Sequence, residues 1–190
     1  MHARRLLIAA ALSALLAACA SAPTKFHTLD PVAPASSPVQ RALATPVRVD
    51  SVIVPPELDR AQIVRRAGPG KLDLADDDRW AGALDELARG ALASDLALRL
   101  PAGSTVRPDD PAPPRPLHRI DVVIERFEGT TTGPVTLIAH WTLLGDGPDR
   151  ALARQEERIE VPSGGDIDGT VTAMSAALGL LADRIVAGLR

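Results

Sequence analysis

Near the C-terminal end, Ile167, Val171, Met174, Leu178, Leu181, Ile185 and Leu189 follow one another at spacings of 4, 3, 4, 3, 4 and 4 residues. That is the period of an amphipathic helix, and such a stripe needs a broad apolar surface to cover. The preceding segments supply one. Ile120, Val122 and Ile124 alternate with other residues between Arg119 and Phe127, and so do Val135, Leu137, Ala139, Trp141 and Leu143 between Val135 and Leu144. Alternation is the mark of a strand with one face buried. Ala151 to Val161 alternates with charge and predicts a polar, edge-like strand. Glycines at 129–133 and 145–147 separate these three runs, which together read as an antiparallel meander.

Earlier in the chain the period changes twice. Val47 to Val54 is a Val-rich strand that ends at Pro55-Pro56. Gln62 to Arg66 and Lys71 to Leu74 read as short strands around a Gly68-Pro69-Gly70 turn. Trp80, Leu84, Leu87, Ala91 and Leu98 then predict a helix over 78–98, with Asp76, Asp77 and Asp78 as its acidic N-terminal cap. Aromatic residues are only 2% of the chain, so the core is expected to be aliphatic. These elements predict an α+β fold: a mainly antiparallel sheet with two amphipathic helices packed on one face.

The N-terminal end carries a different message. Arg4 and Arg5 precede an apolar run from Leu6 to Leu16, which has the layout of a signal peptide and is short for a transmembrane helix. Leu16-Ala17-Ala18-Cys19 follows and matches the lipobox of bacterial lipoproteins. The Cys19 thiol would take a diacylglyceryl group, and cleavage before it would free an amine for further acylation. Cys19 is the single cysteine of the chain, so no internal disulfide can form. Ala20 rather than Asp after the cysteine favours export to the outer membrane, by similarity to proteobacterial lipoproteins. The expected organisation is a signal peptide at 1–18, a lipidated Pro/Ala/Ser-rich tether at 19–45, and one globular domain at 46–190. Phe26 to Asp30 interrupts the tether and could hold a first short strand.

Loss of Arg4 and Arg5 with the signal takes the 21 basic residues to 19, against 24 acidic ones. That balance argues against nucleic acid as a partner and against electrostatic adhesion to anionic lipid. His27, His118 and His140 have no metal-ligand spacing, no GxSxG elbow is present, and the glycine-containing turns lack the rest of a phosphate loop. His27 reads as part of the tether. Glu156, Glu157 and Glu160 stand beside Arg154 and Arg158, the pattern of a solvated, cross-paired strand face. No catalytic, cofactor-binding or metal-binding residue is expected.

Three stretches carry a family resemblance: Phe26-His27-Thr28-Leu29; Val54-Pro55-Pro56-Glu57-Leu58-Asp59-Arg60-Ala61-Gln62-Ile63-Val64; and Asp78-Arg79-Trp80-Ala81-Gly82-Ala83-Leu84. In this order, behind a lipobox, they resemble the PqiC (YmbA-like) family, the auxiliary lipoproteins of MCE-type ABC transport systems. The chain departs from that pattern in having Phe26 where the family usually has Tyr, and in its proline-rich inserts. The resemblance implies a non-catalytic lipoprotein on the periplasmic face of the outer membrane. It would work with an MCE-domain protein, and indirectly with a permease and an ATPase, to move lipid or another hydrophobic molecule. Docking is expected around Arg60, Gln62, Arg65 and Arg66, and a homo-oligomer is compatible with a ring-shaped partner. The alternative is a structural or regulatory envelope lipoprotein, such as a peptidoglycan-synthase activator, which would need a long free tether.

Overall fold

The computed structural model describes residues 23–34, 42–111, 113, 116–145, 147 and 150–189. The expected signal peptide, Cys19 and the middle of the expected tether lie outside those residues. Seven strands and two helices run in the order β1 (Lys25–His27), β2 (Val47–Ile53), β3 (Gln62–Gly68), β4 (Lys71–Trp80), α1 (Leu84–Arg99), β5 (His118–Thr130), β6 (Val135–Leu144), β7 (Ala151–Val161) and α2 (Ile167–Gly188), among the described residues.

The expected meander is present: β5 pairs antiparallel with β6, and β6 with β7. The rest of the sheet corrects the expectation of a mainly antiparallel arrangement, because the sheet is mixed. β3 pairs antiparallel with β4, but β1 with β4, β2 with β5 and β3 with β5 are all parallel. β5 makes this possible through its length. One edge of this 13-residue strand takes β2 along His118 to Val123 and β3 at Gly129 and Thr130, while its other edge carries β6. Parallel pairing needs a long crossover, and here β3, β4 and α1 lie between β2 and β5 in sequence.

The first helix is also corrected. It begins at Leu84, not near residue 78, and Asp76, Asp77 and Asp78 belong to β4 rather than to a cap. The Trp80 amide donates to the Ala61 carbonyl at 2.7 Å and the Ala81 amide to the His27 carbonyl at 2.8 Å. Those sheet bonds hold this stretch extended until Ala83, which caps α1 without a side-chain hydrogen bond. Trp80 is buried, as its place on the apolar stripe suggested, but a strand buries it. α2 starts as expected: the Asp166 carboxylate accepts from the Gly169 amide at 2.7 Å.

The apolar faces meet in one core. α2 packs across β5, β6 and β7, and α1 packs on β2 and alongside α2. Val49, Ile120, Leu143, Val122 and Trp141 sit in register on the covered side of the sheet and are buried. By length and composition α2 could cross a membrane, yet most of its apolar residues are buried in the core, with Leu180 left exposed. The core is largely aliphatic, with Trp80, Phe127 and Trp141 as its buried aromatic members. The opposite side of the sheet carries charge. It includes Arg66, Arg126, Glu128 and Arg158, and no helix of the described residues covers it.

Candidate functional site

The four expected docking residues do not form one patch. They start from β3, where neighbouring side chains point to opposite faces of the sheet. Arg65 turns toward the helical side, where its guanidinium donates to Asp73 at 2.7 Å and to the Gly165 carbonyl at 3.0 Å. Arg66 turns to the open side and donates to Glu128 at 2.8 Å. Glu128 is only 3% exposed and also accepts from Arg126 at 3.0 Å and from the Phe127 amide at 3.2 Å. Two guanidiniums and an amide therefore compensate one buried carboxylate, and both arginines keep part of their surface in water. Arg60 is exposed in the turn before β3 and makes no ion pair among the described residues; Gln62 is half-buried beside Arg79. Leu58 and Ile63, between them, are core.

The structure also builds a site at the N-terminal segment. β1 lies on β4 in parallel, so the strand left open at 26–30 is part of the sheet, and His27 is not tether. His27 bonds through Nε2 to Asp78 at 2.7 Å, on the helical side of the sheet. Beyond it Leu29 is buried, the Asp30 amide donates to the Ser175 hydroxyl at 3.1 Å, and the Val32 amide donates to the Asp95 carboxylate at 2.8 Å. Arg99 closes the arrangement. It donates to the Val32 carbonyl at 3.0 Å, to Asp95 Oδ1 at 3.1 Å and to Asp183 Oδ1 at 2.7 Å. Residues 29–32 are thus clamped onto both helices at once. Gly179 makes room for them, since a Cβ there would stand 3.1 Å from the Val32 Cβ and 3.3 Å from Arg99 Nη2.

Asp95, Arg99 and Asp183 were not singled out in the sequence, although a signal existed. Asp95 and Arg99 are four residues apart on the buried stripe of α1, in line with Ala88, Ala91 and Leu92. A charged pair on a core stripe asks for a third partner, and only the fold shows that Val32 and Asp183 are it. Burial pushes the Asp95 carboxyl up to about 6, against the opposing pull of the Val32 amide and Arg99. The geometry agrees, because Asp95 Oδ2 is buried with no hydrogen-bond partner. Since the folded-state value is raised, folding gains stability as pH falls from about 6 toward the ordinary value of 3.8, and loses it as pH rises through that window. Asp95→Asn is expected to flatten this slope, worth up to about 3 kcal/mol across the window. Urea midpoints of both proteins at several pH values between 4 and 7.5 check it, roughly spanning the two limits.

Other polar clusters read as structural. His140 bonds Glu125 at 2.8 Å on the open face, and Ser51 bonds Asp121 at 2.9 Å. Among the described residues there is no group of three His, Cys, Asp or Glu side chains that could hold a metal ion.

Residues 27–186 match the family of ABC-type transport auxiliary lipoprotein components. The chain belongs to that family. The match runs from the last residue of β1 to within α2, so the clamp and meander described above lie inside it. Solved structures share the fold. A crystal structure of an uncharacterized protein superposes with a TM-score of 0.72 at 19% identity, covering 89% of this chain and all (100%) of that one. Protein XCC0632 from Xanthomonas campestris, of the DUF330 family, superposes with a TM-score of 0.65 at 17% identity, covering 85% of this chain and 92% of that one. No curated protein matches the sequence. This auxiliary component is therefore a lipoprotein-family partner of an ABC-type transport system, placed by its family at a membrane of the cell envelope.

Proposed function

We propose that the chain is a non-catalytic periplasmic lipoprotein, held in the outer membrane by acyl chains on Cys19. It docks the MCE-domain protein of an ABC transport system that moves lipid or another hydrophobic molecule between membranes. The observation that carries this reading is the early start of the fold. With the anchor at Cys19 and the sheet beginning at Lys25, the intervening chain reaches about 20 Å at most. Such a leash keeps the domain against its own membrane, where a transport partner arriving across the periplasm would meet it. It argues against the alternative, a peptidoglycan-synthase activator, which has to reach farther.

Of the four expected docking residues, the geometry favours Arg66 for the protein partner. Together with Arg126 it presents two partly exposed guanidiniums on the uncovered sheet face. Arg65 is held by Asp73 and Gly165 and positions the start of α2. Arg60 and Gln62 lie at the opposite end of β3, nearer the anchor, about 13 Å away along the strand.

The test is an in-cell crosslink and gentle detergent pull-down of the tagged protein, read by mass spectrometry. An MCE-domain protein should be enriched over a Cys19→Ala control, and Arg66→Glu should reduce its recovery. Recovery of a peptidoglycan synthase without an MCE protein would reject the reading in favour of the alternative.

A further inference from the structure

One row of the open sheet face is unlike the rest. Phe26 on β1, Arg79 on β4 and Gln62 on β3 are register partners, so their side chains leave the sheet on the same side. Phe26 is 68% exposed, the most exposed of the large apolar side chains described. Arg79 makes no ion pair among the described residues, and its Nε is buried without a hydrogen-bond partner. Arg60, in the turn leading into Gln62, is exposed and likewise unpaired among the described residues. Elsewhere on this face Arg66 and Arg126 are matched by Glu128 and Arg158 by Glu160; Arg154 on β7 also lacks an ion pair among the described residues, but no exposed aromatic ring stands beside it. An exposed aromatic ring beside one uncommitted guanidinium, with a second in the turn that leads into the same row, therefore sits within one strand of where the chain arrives from Cys19.

We propose that this row, Phe26 with Arg79 and Arg60, is a bilayer contact that seats the domain on the phospholipid headgroups around its own anchor. The inference rests on the reading of Cys19 as the acylated residue. The short leash supplies the geometry: β1 is the part of the domain that cannot be more than about 20 Å from the acyl chains. The side chains supply the chemistry. A phenyl ring gains by entering the interface between headgroups and acyl chains, and guanidiniums donate to phosphate oxygens while their stems cover apolar surface. The carboxylates of Glu57 and Asp59 are exposed in the same turn as Arg60. The patch is therefore mixed in charge and suits a zwitterionic headgroup, which offers an ammonium as well as a phosphate, over a net-anionic surface. A seated domain has a fixed orientation, with the Arg66 and Arg126 end of the open face held away from the anchor.

The test uses the full acylated chain carrying Phe26→Trp, reconstituted into phosphatidylethanolamine and phosphatidylcholine vesicles whose acyl chains are brominated near the headgroup. Trp80 and Trp141 are buried in the core, so their emission is subtracted with the parent protein. The new indole should emit to the blue of its emission in the lipid-free Cys19→Ala protein, and lose roughly twofold in intensity to the bromines. Leu152→Trp, on the strand at the far edge of the sheet, should remain water-like and unquenched. Water-like, unquenched emission from Phe26→Trp in a chain shown by intact mass to be acylated and vesicle-bound would overturn the inference while leaving the anchor reading intact. So would emission that responds only when a solubilised protein partner is added, which would assign the row to a protein interface. A Cys19 without acyl groups would overturn the anchor reading and this inference with it.

Discussion

Arg99→Ala should destabilise the domain by about 3–5 kcal/mol, as removal of one member of a buried ionic cluster does. Its side chain is almost wholly buried and bridges three elements: Asp95 on its own helix, Asp183 on α2 and the carbonyl of Val32. Without it, Asp95 remains fully buried with Oδ2 already unpaired and loses its cation, while the Val32 carbonyl loses its donor. The loss has two readouts. Urea unfolding should show the drop in stability. Trypsin should also cut at Lys25 faster in the folded variant, because the segment that follows β1 is held to the helices largely through this cluster. Replacing Asp95 and Arg99 together by leucine should recover much of the stability, since well-packed apolar groups need no compensation. Cleavage at Lys25 should stay fast in that double variant, because the Val32 hydrogen bonds are not restored. The cluster thus joins the N-terminal segment to the helical layer, so that a pull on that segment is passed into the core.

What could be read from the residues alone follows from how local each signal is. α2 was legible because its apolar positions recur at helical spacing for more than five turns, and Asp166 marks its start. The meander was legible because alternation and glycine turns lie within one stretch of chain. β4 was misjudged past Leu74 because Asp76, Asp77 and Asp78 have the composition of a helix cap. What decides their conformation is pairing with β1, some fifty residues earlier. The parallel pairings of β2 and β3 with β5 leave no mark in either strand, since alternation is the same whichever way the neighbour runs. The segment expected to dock a partner shows the same limit. That Arg65 and Arg66 diverge follows from the strand itself, but that Arg66 meets a buried Glu128 does not. The clamp was half legible, in a charged i, i+4 pair on an apolar stripe, and its other half lay in Val32 and Asp183.

Trp141→Ala should produce a loss of similar size, about 3–5 kcal/mol, for a different physical reason. Trp141 is fully buried on β6, in register with Val122 and Gln155, beneath the last turn of α2. The fit is close. A Cβ on Gly188 would lie 2.6 and 2.7 Å from two ring carbons, which is why that turn carries glycine. Removing the ring opens a cavity that β6 cannot collapse to fill, because its backbone is bonded on both edges. Trp141→Phe should be much milder, because it keeps most of the ring volume and removes an indole N–H that is buried without a partner. Gly188 separates packing from other effects. Gly188→Ala alone should be destabilising by about 1–3 kcal/mol through overpacking against the ring. In the Trp141→Ala background the same change should be neutral or stabilising, because the new methyl enters the vacated space. A double-mutant cycle by urea unfolding measures that coupling directly. Additive effects would mean that the last turn of α2 does not rest on Trp141, and that the cost of Trp141→Ala arises within the sheet.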